Sequence, residues 1–262
     1  MRENRVKRLM REGTATVGSW VTLDGPLAAE VMAHAGFDWL LIDMEHGPVS
    51  LTAAQGIIAA IRTTATVPLV RVGWNESALI QQALDIGAYG LIVPMVNTPD
   101  EARRAVRDAR YPPLGERSRG GIRARLAFDT DSVTYGRRAN DETLLLVQIE
   151  TAEGLANAAE IVALEGIDGL FLGPNDLSSS LGVWPPVWDD QPAVLAEAIA
   201  AIPRIAHAHD ACAGILVPNA AIADRCIGLG YEFIGLTNDA ALLEGAARRE
   251  LAAVSKRVGS DQ

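Results

Sequence analysis

Three features of the sequence predict an α/β protein folded as a single (β/α)8 barrel. Eight short aliphatic runs alternate with eight Ala-rich helical stretches from end to end. The runs lack polar alternation, as expected of parallel strands buried on both faces. Eight strand–helix units in about 250 residues is also the usual size of such a barrel. A doubly wound open sheet would carry a glycine-rich phosphate turn after its first strand, and neither G-x-G-x-x-G nor G-x-x-x-x-G-K-[ST] occurs.

The elements are read in chain order. The opening MRENRVKRLMREG is basic, lacks the apolar stretch of a secretory signal and reads as a lead-in helix within residues 1–14. Strands are expected at 15–21, 37–43, 68–72, 89–93, 144–149, 169–172, 214–217 and 233–236. Helices are expected at 26–35, 51–63, 76–86, 98–109, 153–163, 190–208, 219–229 and 239–256. Gly36, Gly87, Gly166 and Gly230 mark helix-to-strand joints. The longest irregular stretch, 110–143, reads as a functional loop or a subunit contact. No linker or repeat divides the chain, so residues 1–262 form one domain.

Composition excludes several functions. The net charge of −10 argues against a nucleic-acid partner, because phosphate backbones select basic faces. The chain is 49% hydrophobic but has no apolar run near the ~18 residues a membrane span needs, which makes a soluble, cytoplasmic protein the expectation. Cys212 and Cys226 have neither metal-binding nor redox spacing and read as buried thiols. Lysine occurs only at Lys7 and Lys256, near the chain ends. A Schiff-base enzyme needs a desolvated lysine in its site, so covalent amine catalysis is disfavoured.

Catalytic groups of a barrel sit at the carboxyl ends of its strands, and there the polar residues of this chain collect. The second strand ends in Asp43, Glu45 and His46, the third in Arg71, the fifth in Gln148 and Glu150, and the sixth in Gly173-Pro174-Asn175-Asp176. Glu150 and Asp176 end consecutive strands, which lie ~4.8 Å apart. Two carboxylates so close repel unless a proton or a cation bridges them, and a hard divalent cation suits such a pair. Singly, Asp176 could start a helical turn and Glu150 could favour a helix N-terminus. His46 has Asp43 three residues back, a carboxylate able to fix the tautomer of a general base. Arg71 offers a permanent cation to a carboxylate or an oxyanion, or a salt bridge to Asp43 or Glu45 that closes the barrel top. Together these residues describe metal-assisted chemistry at a carbon next to a carbonyl.

Four stretches carry a resemblance to a known family: GSWVTLDGPLAAEVMAHAGFDWLLIDMEHGP, PLVRVGWNESALIQQALDIGAYGLIVPMVNTPDEA, RYPPLGERSRGG, and LLLVQIETAEG with GLFLGPNDLSSSLG. In order and spacing they resemble the HpcH/HpaI family of metal-dependent (class II) pyruvate aldolases. The resemblance implies a (β/α)8 barrel with an exchanged C-terminal helix, assembled as a homo-oligomer, a hexamer built as a trimer of dimers. It implies a divalent cation, Mg²⁺ or Mn²⁺ with Co²⁺ a further candidate. It also implies reversible cleavage of a 4-hydroxy-2-oxo acid into pyruvate and an aldehyde. Carried over by residue, Glu150 and Asp176 are the metal ligands. His46 is the base, acting through a metal-bound water with Asp43 oriented toward it, and Arg71 stabilises the enolate oxygen. Gln148, Gly173 and the backbone around Asn175 and Asp176 hold the pyruvate portion. Asp85 is implied to raise the basicity of the histidine. It falls at the bottom of its own barrel, so it could act there only from another subunit.

Two departures from the family pattern, GERSRGGIRARLAFDTDSV and GLTNDAAL, stand where the aldehyde side of the pocket is lined. Two other readings stay open. One is a citrate-lyase or malyl-thioester-lyase type enzyme on the same barrel, for which Arg117, Arg119, Arg123 and Arg125 could serve a nucleotide. The other is a non-catalytic binder of metal and oxo acid, which the presence of Asp43, His46 and Arg71 disfavours.

Overall fold

In the computed structural model, which describes residues 1–184, 188 and 190–254, the barrel is closed by strands paired in sequence order. The strands are β1 (Thr16–Val21), β2 (Trp39–Asp43), β3 (Val67–Arg71), β4 (Gly90–Val93), β5 (Leu144–Ile149), β6 (Gly169–Leu172), β7 (Cys212–Val217) and β8 (Phe233–Asn238). Each lies within two residues of its expected ends. The helices are α1 (Arg5–Arg11), α2 (Pro26–His34), α3 (Leu51–Ile61), α4 (Ser77–Asp85), α5 (Pro99–Ala109), α6 (Ile122–Ala127), α7 (Ser132–Glu142), α8 (Ala152–Val162), α9 (Pro174–Ser180), α10 (Ala193–His207), α11 (Ala220–Gly228) and α12 (Asp239–Ala253).

Alternate residues of each strand feed two cores. In β2, Leu40 and Ile42 face the surrounding helices, whereas Trp39 and Leu41 fill the barrel. The interior is packed by large rings against glycines. Trp39 stacks on Phe233 with centroids 3.8 Å apart, and a Cβ on Gly18 would lie 2.0 Å from the Trp39 ring. An inner core so filled is a plug rather than a pore, which confines chemistry to the barrel's ends.

The end where the strands begin is sealed. Val6 and Met10 of α1 join the inner core, and the Tyr89 ring stacks on Phe128 at 3.9 Å while its hydroxyl donates to the Ala127 carbonyl. The stretch 110–143, expected to be irregular, holds the two helices α6 and α7. Asp131 caps α7 by accepting from the Val133 and Thr134 N–H groups. Tyr135 and Ala139 are buried on its inner side. Arginines dilute the apolar period of both helices, which hides them from a reading of hydrophobic spacing. Helix α9 was also not expected; Pro174 at its first position pre-sets its start.

The open end is therefore the one where the strands finish. Helix α12 buries only Asp239 and leaves Leu243 and Leu251 exposed. Lys256 lies outside the described residues. Among the described residues no helix is long and apolar enough to cross a membrane.

Candidate active site

The register of the sheet places Asp43 directly beside Arg71. Arg71, buried at the end of β3, donates from Nε to Asp43 Oδ1 at 2.9 Å and from Nη2 to Oδ2 at 2.8 Å. Its Nη1 lies 2.8 Å from Glu45 Oε2. The guanidinium sits 4.1 Å from the Trp20 ring centroid, so an aromatic face backs the cation. The planar fork is thereby fixed by two carboxylates and a ring.

Asp43 also accepts from the Glu45 and His46 backbone N–H groups, which folds the chain sharply after β2. Gly47 completes that turn, because a Cβ there would lie 2.4 Å from the Asp43 carbonyl oxygen. His46 is carried to the rim with its side chain 66% exposed, and its Nε2 is 3.9 Å from Glu45 Oε1. The expectation that Asp43 orients the imidazole is corrected here. Its oxygens serve Arg71 and the turn, and Glu45 is the carboxylate paired with the ring.

Across the barrel mouth, Ile149 pairs with Leu172, so Glu150 and Gly173 follow one step beyond. Glu150 is buried; Oε1 accepts from the Met95 N–H at 2.7 Å and Oε2 accepts from Gln148 Nε2. A Cβ on Gly173 would lie 2.7 Å from Glu150 Oε2 and 2.9 Å from Gln148 Nε2, so only glycine leaves these groups their space. Burial pushes the Glu150 carboxyl up to about 7; the Met95 N–H opposes this, and the charges of Glu45 and Asp176 add to it. Burial also raises Glu45, against the pull of Arg71 and His46 and with the push of Asp43 and Asp176. Gln148 Oε1 is buried without a hydrogen-bond partner. Asp176, in the first turn of α9, and Asn175 are exposed at the same mouth.

Asp43, Glu45, His46, Arg71, Gln148, Glu150, Gly173, Asn175 and Asp176 thus share the open end. Asp85 does not join them. It ends α4 on the opposite side, where its Oδ1 accepts from Arg117 Nη2 at 2.9 Å. The backing ring Trp20 and the Met95 N–H went unnoticed in the sequence. Trp20 could have been found as the penultimate residue of β1. Met95, with φ of 53°, gives no local signal, because such a conformation is not expected of an unbranched non-glycine residue.

The mouth carries an excess of carboxylates over cations and one unsatisfied amide oxygen. Such a donor set fits a hard divalent cation, with Glu150 and Asp176 supplying two oxygens. Among the described residues no group of three His, Cys, Asp or Glu side chains is gathered for a metal, so the remaining oxygens would come from water and substrate.

A barrel with buried, charge-coupled side chains at the ends of its strands defines an α/β-barrel enzyme. The profile of the HpcH/HpaI aldolase/citrate lyase family matches residues 16–246. A 4-hydroxy-2-oxo-heptane-1,7-dioate aldolase of Escherichia coli is 40% identical over 246 residues, spanning 94% of this chain and 92% of that protein. A crystal structure of an HpcH/HpaI aldolase/citrate lyase family protein from Burkholderia cenocepacia J2315 superposes with a TM-score of 0.89 at 34% identity, covering 97% of this chain and all of that one (100%). The citrate lyase beta subunit of M. tuberculosis, solved with oxaloacetate and magnesium, shares the fold with a TM-score of 0.56 at 18% identity over 88% of this chain and 95% of that one. The chain belongs to the HpcH/HpaI aldolase/citrate lyase family, and it is a carbon–carbon lyase.

Proposed function

We propose that the protein cleaves a 4-hydroxy-2-oxo acid reversibly into pyruvate and an aldehyde. The observation that carries this reading is the asymmetric mouth: one fixed guanidinium, Arg71, facing Glu45, Glu150 and Asp176, with Gln148 Oε1 unsatisfied. A 2-oxo acid offers the oxygens that such a set lacks, a carboxylate for donors and a carbonyl for a cation. Substrates named for the Escherichia coli relative are of this class.

Glu150 and Asp176 would hold a divalent cation, Mg²⁺ or Mn²⁺; when bound it acts as a Lewis acid on the 2-oxo group, worth several kcal/mol to the developing charge. Magnesium in the distant citrate lyase subunit supports that choice of cation class. Arg71 stabilises the oxygen at C2 as it becomes an enolate oxygen, and its bidentate grip by Asp43 keeps it aimed without reorganisation. His46, at the rim, takes the proton of the 4-hydroxyl. The C3–C4 bond then breaks, its electron pair passes to C3 and the C2 oxygen, and the aldehyde carbonyl forms at C4. His46 returns the proton to C3, giving pyruvate. Gln148 and the backbone at Gly173, Asn175 and Asp176 orient the carboxylate. The exposed leucines of α12 support an exchanged helix in a homo-oligomer, in which Asp85 would serve a neighbouring subunit.

The test is exchange of the pyruvate C3 protons in D₂O, followed by NMR with Mg²⁺ or Mn²⁺ and then with excess chelator. Exchange should need the cation and should vanish in His46→Ala and Arg71→Ala. A folded protein with no exchange under either cation would overturn the pyruvate reading and favour a thioester lyase.

A further inference from the structure

The end of β2 and the turn after it bring two carboxylates to Arg71, and the two hold it in different ways. Asp43 takes the guanidinium through a pair of aligned hydrogen bonds, at 2.9 and 2.8 Å. Glu45 brings Oε2 within 2.8 Å of Nη1. That oxygen is nevertheless buried without a hydrogen bond, so no N–H of Arg71 points along the contact. One carboxylate neutralises one guanidinium, which leaves Glu45 as the surplus charge. Burial raises its carboxyl against the pull of Arg71 and His46, which marks a group held in a costly place.

The second oxygen of Glu45, Oε1, lies 3.9 Å from His46 Nε2, just beyond hydrogen-bonding reach. Glu45 therefore stands between the fixed cation and the base, in full contact with neither. The backbone around it is pinned, because the Glu45 and His46 N–H groups both donate to Asp43 Oδ1, at 3.1 and 3.3 Å. A change of partner at Glu45 needs only a side-chain rotation, with the turn left in place.

We infer that Glu45 is a positioning residue with two places: before substrate binds, Oε2 occupies the position of a substrate oxygen on Arg71, and an arriving 2-oxo acid displaces it toward His46. The inference rests on the roles given above to Arg71 and His46. An oxygen of the substrate offers Nη1 an aligned acceptor, whereas Glu45 offers only proximity. The displaced carboxylate closes the gap to the imidazole and accepts its N–H. That bond fixes the tautomer and leaves the other ring nitrogen as the base. His46, exposed and loosely held in the free protein, is thus aligned by the arrival of the substrate.

The experiment measures pyruvate C3 exchange at saturating Mg²⁺ in the wild type, Glu45→Gln and Glu45→Ala, with KM and kcat read separately and the melting temperature as the control for folding. Both variants remove a competitor for Arg71 and a partner for His46. KM should fall about tenfold, the worth of one hydrogen bond to a charged group. In the same variants kcat should fall about tenfold or more. Asp43→Asn, which loosens the clamp itself, should instead raise KM. A KM that holds or rises in both Glu45 variants, at an unchanged melting temperature, would overturn the inference, and so would an unchanged kcat. A wild type without exchange would overturn the pyruvate reading and this inference with it, which keeps the two failures apart.

Discussion

The two ends of the barrel each hold a buried charge cluster, and they are balanced in opposite ways. At the sealed end one carboxylate, Asp168, meets Lys7 Nζ at 2.9 Å, Arg110 Nη2 at 2.8 Å and Arg11 at 3.7 Å. The two buried cations have further acceptors: Lys7 also donates to the carbonyls of Asn140 and Thr143, and Arg110 to those of Gly166, Asn140 and Thr143. At the open end one cation, Arg71, meets Asp43 and Glu45, while among the described residues Glu150 and Asp176 make no ion pair. A buried cluster whose charges and hydrogen bonds are complete holds the fold; one with charge left over is waiting for a ligand. The same contrast explains why Lys7, although buried, is no Schiff-base candidate: its ammonium is committed to the floor of the barrel.

Neutralising one acid at each end should therefore have opposite consequences. Glu150→Gln removes a carboxylate that burial already drives toward its protonated form. Pyruvate exchange should be lost and divalent-cation affinity should fall at least about 100-fold by titration calorimetry. The melting temperature of the metal-free protein should hold or rise, because active sites commonly give up stability for function. Asp168→Asn leaves Lys7 and Arg110 buried without their counter-ion and should cost roughly 3–5 kcal/mol in denaturant unfolding. The activity of the molecules still folded should not change. Equal destabilisation by the two variants would break the comparison.

A ligand at the open end sharpens it further. A cation that binds only the native state at 100 times its dissociation constant stabilises by about 2.7 kcal/mol. Thermal melts should show that gain in the wild type and in Asp168→Asn, and none in Glu150→Gln. A rise in the Glu150→Gln variant as large as in the wild type would place the cation elsewhere.

How much of this was legible in the sequence depends on the scale of the signal. The barrel was readable because each strand is a continuous apolar run and each joint carries a local mark, such as Gly87 or Gly166. The mouth was readable because Arg71 ends a strand and Glu150, His46 and Asp176 follow strand ends within four residues, so the fold alone brings them together. Partners were not readable. Asp43 turning to Arg71 follows from the β2–β3 register, which no local pattern encodes. Trp20 behind Arg71 and the Met95 N–H on Glu150 depend on contacts between segments far apart in the chain. The helices α6 and α7 were missed because their inner faces are short and their outer faces are rich in arginine. The sealed end was missed for a related reason: Lys7 and Asp168 are 161 residues apart, and each looks like an ordinary surface charge.

The smallest effect, the pH dependence of stability, separates the two members of the sealed cluster. Burial alone would raise the Asp168 carboxyl, but the Lys7 and Arg110 charges hold it below its ordinary 3.8. Its stabilising contribution is present above pH 3.8 and lost as the pH falls through the lower folded value, because the unfolded chain takes up the proton first. Burial lowers Lys7 from 10.5 to about 8, with Asp168 opposing. Between those values the unfolded chain holds a proton that the folded lysine has released, so stability from this group rises with pH and is lost as the pH falls through about 8. Denaturant titrations across pH should then show two windows. Asp168→Asn should flatten the acid one, so that its deficit against the wild type shrinks below pH 3.8. Lys7→Met should flatten the alkaline one, so that its deficit grows from about pH 8 toward 10.5. Lys7→Met should also be the milder variant at neutral pH, since Arg110 still neutralises Asp168. An alkaline window that persists in Lys7→Met would assign it to another group and leave the sealed end with a single titrating member.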